Sequence, residues 1–210
     1  MDEQEELAAA ENPGYGNSLL KKGRNSGIFQ SSGKLGDTEQ GSEIVKIYKI
    51  DPTAENVAFE LETFRKSYAY ALEEHSLVIT PDGQCFEIRG GESVVHTEVV
   101  GAENLKGSIV IHNHPLDEIS EVFYDSFSRE DFAFAAEYSC GRQELVSGTL
   151  KNTLILKSKI SESEAKEMYD SAYKAVRSQA FANGKAIDHE QLYTFRELKK
   201  MYPAEVDFYE

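Results

Sequence analysis

The chain has 210 residues and a formal net charge of −15, because 37 Asp and Glu outnumber 22 Lys and Arg. This acidic balance argues against a nucleic-acid backbone or an anionic membrane surface as the partner, since phosphate recognition needs a basic face. No apolar run approaches the roughly 20 residues of a transmembrane helix, the acidic N-terminus lacks the apolar core of a secretory signal, and the two cysteines fit a reducing cytoplasm.

The first elements follow a polar segment. Residues 1–42 are rich in Gly, Ser, Asn, Gln and acidic residues, a composition that buries too little apolar surface to fold alone. We therefore predict a flexible N-terminal arm over residues 1–42. Alternating apolar residues then predict a strand over 44–50, and apolar residues at helical spacing predict a helix over 53–72.

The middle of the chain reads as a series of strands. Apolar segments at 77–79 and 85–88 flank a Pro-Asp-Gly turn signal and predict two strands. A further strand is predicted over 94–100, and a buried one over 109–111. Pro115 stops this last strand because proline cannot donate to a strand ladder. The residues just before Pro115 therefore lie at a strand end, a usual place for chemistry in α/β folds.

The last third combines helices and strands. Apolar spacing predicts a helix over 128–138, paired strands at 144–146 and 153–156, a helix over 162–181 that ends at an Asn-Gly cap, and a helix over 188–201. The whole pattern predicts an α/β fold, with a mixed β-sheet flanked by a helix on each side and the site at one edge of the sheet. The C-terminal helices either cover the sheet or form a docking surface for a partner.

One short segment concentrates chemistry. Residues 111–115 read Ile-His-Asn-His-Pro, and residues two apart on a strand point to the same face, so His112 and His114 can reach one ion. A catalytic zinc site needs three protein ligands and an open position for water. Asp131, near the start of the next predicted helix, would supply the third ligand. Ser128 and Asp131 also fit a helix capping box, which is an alternative explanation for that pair.

The pattern His-x-His-Pro followed by Ser-x-x-Asp resembles the JAMM (MPN-type) zinc metalloproteases. The variants His-Asn-His-Pro and Phe-Ser-x-x-Asp look closest to JAMM-like domains of phage and prophage head-associated proteins. The resemblance covers residues 61–156. In that family the two histidines and the aspartate bind zinc, and the serine assists the oxyanion. Carried over, the resemblance implies zinc ligation by His112, His114 and Asp131, with Ser128 as the polar assistant.

The family also has an upstream glutamate that acts on the water at the zinc ion. It lies where the first helix meets the next strand, just before an apolar segment. Glu74 fits that position best and Glu73 is the alternative, although both could be solvated charges at a helix end. The link over 116–127, between the proline and the serine, is longer here than is usual in the family.

The resemblance implies a JAMM-like metal-binding domain, which we place over 43–160, with the layering of cytidine-deaminase-like folds. The helices over 161–210 lie outside the resemblance and are predicted to form a C-terminal helical extension. It implies a zinc-dependent hydrolase of peptide or isopeptide bonds in a phage or prophage setting. Its substrate would be a protein or peptide, and phage head or host proteins are candidate partners. The expected location is the cytoplasm of a bacterial host, with the virion as an alternative.

Two other functions are open from the sequence. A non-catalytic JAMM-like assembly or protein-binding module is the main alternative, although such relatives commonly lose ligands. An HNH-type nuclease is suggested by the letters His-Asn-His. The strongly acidic chain disfavours it, because a nuclease must hold the scissile phosphate.

Overall fold

The computed structural model describes residues 41–92, 94–115, 125–184 and 189–210. The predicted arm over 1–42 therefore lies almost wholly outside the described residues, as does most of the link between the proline and the serine. The strands are β1 (Glu43–Lys49), β2 (His75–Ile79), β3 (Gln84–Arg89), β4 (Ile109–Asn113), β5 (Arg142–Ser147), β6 (Leu150–Leu156) and β7 (Val206–Tyr209). The helices are α1 (Ala54–Tyr68), α2 (Ala102–Leu105), α3 (Arg129–Tyr138), α4 (Glu162–Ala182) and α5 (Glu190–Met201), with a 3₁₀-helix at Thr97–Val100.

The strands form one mixed sheet in the order β1-β3-β2-β4-β5-β6-β7. The β4–β5 pair is parallel, and the other neighbouring pairs are antiparallel. A parallel pair needs a crossover connection, and α3 lies in the one between β4 and β5. The predicted α/β class, with a mixed sheet and helices, is confirmed.

One face of the sheet packs against α1. Side chains alternate between the two faces of a strand, so Leu77, Ile111 and Val146 share one face. They form a buried cluster with Leu61 and Phe64 of α1. Burying these two α1 side chains contributes about 1.5–3 kcal/mol each, which holds the helix on the sheet.

The opposite face carries the other helices. Val78 and Val110 form a buried cluster against which Phe134 of α3 packs. Leu145 belongs to a larger cluster with Tyr169 of α4 and Phe195 of α5. The C-terminal helices thus cover this face of the sheet, and the core continues across residue 160 without interruption.

The structure corrects three sequence predictions. The segment over 94–100 is not a strand, since it contains the 3₁₀-helix and places Val100 in the core over the sheet; strand propensity yields to packing here. The C-terminal segment ends in β7, which the sequence prediction missed although Val206 and Phe208 alternate with Asp207. β4, which contains His112 and leads directly into His114, is the central strand, with three strands on each side of it. The site is therefore not at an edge of the sheet.

Candidate metal centre

The carboxyl end of β4 presents two imidazoles to the same side. His112 pairs with Ser76 of β2, and the His114 backbone N–H donates to the Val146 carbonyl at 3.1 Å, which keeps the chain in register with β5. Both histidines project towards α3, the face on which Val110 lies. They are 5% and 7% exposed, so their rings are held in place by packing.

The start of α3 brings in the carboxylate. Ser128 Oγ accepts a hydrogen bond from the Asp131 N–H at 3.1 Å, and Asp131 Oδ2 accepts one from the Ser128 N–H at 2.6 Å. This is the capping box that the sequence left as an alternative, and it is present. Phe127, fully buried beside it, contacts the His112 ring with centroids 5.9 Å apart. The cap therefore orients the carboxylate, and does not compete with a role as ligand.

The three predicted ligands converge. His112 Nε2 lies 3.3 Å from His114 Nε2 and 3.4 Å from Asp131 Oδ1, and His114 Nε2 lies 3.8 Å from Asp131 Oδ2. All three ligand atoms lie within 4.8 Å of one another. A tetrahedral ion with ligand bonds of about 2.0–2.2 Å keeps its ligand atoms about 3.4 Å apart. The cluster can therefore bind a metal ion, and its nitrogen and oxygen donors suit a divalent ion.

The electrostatics of this cluster favour a charged carboxylate. Burial acts to raise the pKa of Asp131, but the neighbouring His112 and His114 outweigh it and hold the pKa well below its usual value. Burial likewise acts to lower the pKa of His112, and the charges of Asp131 and Glu74 outweigh it and raise that pKa. Asp131 is thus ionised at neutral pH, the state in which a carboxylate can bind a metal ion.

The structure also separates the two candidate glutamates. Glu74 is half-buried and interacts electrostatically with all three predicted ligands, whereas Glu73 is exposed. Burial raises the pKa of Glu74, partly opposed by the two histidines and by a hydrogen bond from the Val95 backbone. Of the two, Glu74 therefore has the placement and the raised pKa that suit a proton carrier near the cluster.

Asn113, between the two histidines, has a role that sequence reasoning missed. Its fully buried carboxamide accepts a hydrogen bond from the His75 N–H at 2.7 Å and donates one to the Glu73 carbonyl at 3.0 Å. Both partners flank Glu74 in the chain. An Asn at the end of a buried strand was the available signal, since such a side chain needs partners for both its donor and its acceptor.

A cleft of about 1180 Å³ opens over the cluster. Six carboxylates line it, and within the described part of the chain no Lys or Arg does; they belong to Glu73, Glu74, Glu92, Glu98, Glu130 and Asp131. Gln143 of β5 and Gln191 of α5 line it as well, and neither was predicted. The two-residue period of β5, which puts Gln143 on the same face as the buried Leu145, was a usable signal for Gln143, whereas nothing in the sequence points to Gln191.

This chain matches no protein-family model, no curated protein and no solved structure. The resemblance to JAMM proteases therefore rests on the motif residues alone. Across the ranges that the structure describes, every helix is too short or too polar to cross a bilayer.

Proposed function

We propose that this protein is a zinc-dependent hydrolase of peptide or isopeptide bonds, of the JAMM metalloprotease type. One observation carries the proposal: His112, His114 and Asp131 converge in a cleft beside the half-buried Glu74. The variant of the motif supports a phage or prophage setting, with phage head or host proteins as partners. In that setting the protein would act in the bacterial cytoplasm or on the virion.

The residues at the site divide the chemistry among them. His112, His114 and Asp131 would hold the ion, and zinc, when bound, lowers the pKa of a water ligand from ~15.7 to about 7. Glu74 would accept a proton from the attacking water and deliver it to the leaving amine. Burial raises the pKa of Glu74 above its usual value, which makes the carboxylate a stronger base for the first of these two proton transfers.

Ser128 would stabilise the oxyanion that forms on the reacting carbonyl. Its hydroxyl oxygen accepts one N–H, from Asp131, and its own proton can be donated elsewhere. A hydroxyl donor aimed at the developing oxyanion stabilises the tetrahedral transition state. The capping box holds the serine in place and so preorganises this donor.

The alternatives fit the cleft less well. A non-catalytic JAMM-like assembly module has no use for a complete ligand set together with a half-buried glutamate beside it. A nuclease would have to place a phosphodiester against six carboxylates, and within the described residues no Lys or Arg lines the cleft. Electrostatic repulsion therefore disfavours that substrate.

The test combines metal analysis with turnover. Purified protein is analysed by mass spectrometry for bound metals, then assayed on a mixed library of fluorogenic peptides and isopeptides. We expect about one zinc per chain, and hydrolysis that a chelator abolishes and added zinc restores. A protein that binds zinc yet cleaves neither kind of bond would favour the assembly module. A protein that binds no divalent metal would refute the hydrolase and leave the assembly module.

A further inference from the structure

The lining of the cleft is rich in acidic side chains. Apart from Glu74 and Asp131, which belong to the candidate metal centre, four carboxylates remain around it, those of Glu73, Glu92, Glu98 and Glu130. They come from three segments of the chain: Glu73 precedes β2, Glu92 and Glu98 lie between β3 and α2, and Glu130 is in the first turn of α3. Local sequence bias therefore does not explain their convergence. Negative charge gathered over a concave surface concentrates the field there and attracts cations.

Little of this charge is neutralised by the protein. Glu98 contacts the His96 ring at 2.9 Å, and Glu130 lies 3.6 Å from the Arg129 guanidinium. Arg129 is shared, because it also makes a two-pronged contact with Asp170 at 2.8 and 2.9 Å. Among the described residues, Glu92 takes part in no ion pair. The rim of the cleft thus has negative charge available to a ligand.

Two buried hydrogen-bond acceptors also favour a ligand that carries N–H donors. Gln143, next to Val110 in the sheet, is 2% exposed, and its Oε1 has no hydrogen-bond partner in the described part of the chain. The Oε1 of Gln191, a half-buried residue of α5, is likewise buried and unpartnered there. Both side chains line the cleft. A buried acceptor without a partner is unfavourable, so each favours a ligand that brings an N–H.

We propose that the cleft binds a peptide segment bearing arginine or lysine beside the bond at the metal centre. The reason is that these side chains carry only donors and positive charge, three donors for lysine and five for arginine. This inference rests on the proposed function for the role of that segment as substrate. Its binding preference can nevertheless be measured without turnover.

Fluorescence anisotropy of labelled peptides tests the preference on the whole chain. The probe is an alanine- and glycine-based peptide with two arginines, and its control replaces both by citrulline, which has the same shape without the charge. Binding is measured at low ionic strength, with chelator and again with zinc. We expect the arginine peptide to bind about tenfold or more tightly. Equal affinities for the two peptides would overturn the proposal.

Three substitutions locate the binding. Glu92→Gln and Glu98→Gln should each weaken the arginine peptide about two- to fivefold and leave the citrulline peptide unchanged. Gln143→Met, similar in size but without the acceptor, should weaken it too, provided that thermal unfolding shows the variant to be folded. Should that variant fail to fold, the two glutamate substitutions decide.

The matched control is Glu103→Gln. Glu103 is exposed on α2 and does not line the cleft, yet the change in net charge is the same. Weakening by Glu103→Gln equal to that by Glu92→Gln would mean that the whole acidic chain attracts the peptide, and would overturn the proposal. If the protein hydrolyses peptides but binds the arginine and citrulline peptides equally, the inferred preference for basic peptides is refuted alone. If it prefers the arginine peptide but hydrolyses no peptide or isopeptide bond, the proposed function is refuted alone.

Discussion

The side chain of Asn113 holds the backbone on both sides of Glu74. Its Oδ1 accepts from the N–H of His75 and its Nδ2 donates to the carbonyl of Glu73, at 2.7 and 3.0 Å. The backbone pairing between β2 and β4 ends at Ser76 and His112, one residue short of a pair between His75 and Asn113. The carboxamide therefore replaces the next backbone contact, and couples the strand of the histidines to the proposed general base.

Removing the two hydrogen bonds of the Asn113 side chain should change the position of Glu74 more than the binding of the metal. Asn113→Ala leaves a buried N–H and a buried carbonyl without their partner, which should cost about 1–3 kcal/mol of unfolding free energy. We expect near-normal zinc content with reduced hydrolysis, because the ligands stay and the glutamate moves. Urea denaturation, metal analysis and the peptide assay measure the three effects. Normal hydrolysis in a destabilised variant would show that these hydrogen bonds stabilise the fold without positioning Glu74 for catalysis.

The proposed metal ligands can be tested singly. His114→Ala should abolish stoichiometric zinc, because two remaining ligands hold the ion poorly. His96→Ala is the matched control, since His96 also lines the cleft but lies outside the ligand cluster. Mass spectrometry of metal content on both variants gives the answer. Zinc at the parent level in His114→Ala would show that the ligand assignment is wrong.

Asp131 serves both as a cap and as a proposed ligand, and the two roles are separable. Asp131→Asn keeps an acceptor for the Ser128 N–H and loses the charge, so it should weaken zinc binding more than about 10-fold. Ser128→Ala should cost about 1 kcal/mol of stability through the lost cap, with zinc affinity near the parent. Competition with a chelating dye measures the affinities. Equal losses in both variants would attribute metal binding to the geometry of the cap.

Glu74→Gln should keep the fold and the zinc and lose activity. The substitution preserves shape and removes basicity, so hydrolysis should fall by about 10²–10⁴-fold. Glu73→Gln should be nearly silent in kcat, since Glu73 is exposed while Glu74 is half-buried beside the proposed ligands. Any effect should be confined to the about two- to fivefold weaker binding of a cationic peptide that the loss of one carboxylate from the cleft produces. The peptide assay compares the two on zinc-loaded protein. The reverse ranking would exchange the roles of the neighbouring glutamates.

Cys85 and Cys140 should be inert in the folded protein. Both are free and buried, on opposite faces of the sheet. Burial raises the pKa of each thiol to about 12, so at pH 8 almost none of the reactive thiolate is present. Ellman's reagent should therefore label neither cysteine rapidly in buffer, and both once the chain is unfolded in urea. Rapid labelling of the folded protein would mean that one face of the sheet opens locally.

Local sequence pattern alone determined part of this site. The two-residue period of a strand puts His112 and His114 on one face, whatever packs around them. Ser128 followed three residues later by Asp131 specifies a helix start, because a cap depends on contacts within one turn. For the same reason the helix predicted over 162–181 is found at Glu162–Ala182.

Only the tertiary structure decided the rest. The sequence favoured Glu74 over Glu73 only by its place at the junction of helix and strand. The structure adds the register set by Asn113 and by the backbone contacts of Glu74 with Gly90 and Gly91, which leaves Glu74 half-buried and Glu73 exposed. The short β7 forms because β6 offers an open edge. The acidic cleft joins carboxylates from segments far apart in the chain, and no local pattern encodes that meeting. Long-range contacts determine these features, since the free energy that favours them comes from packing and pairing across the sheet.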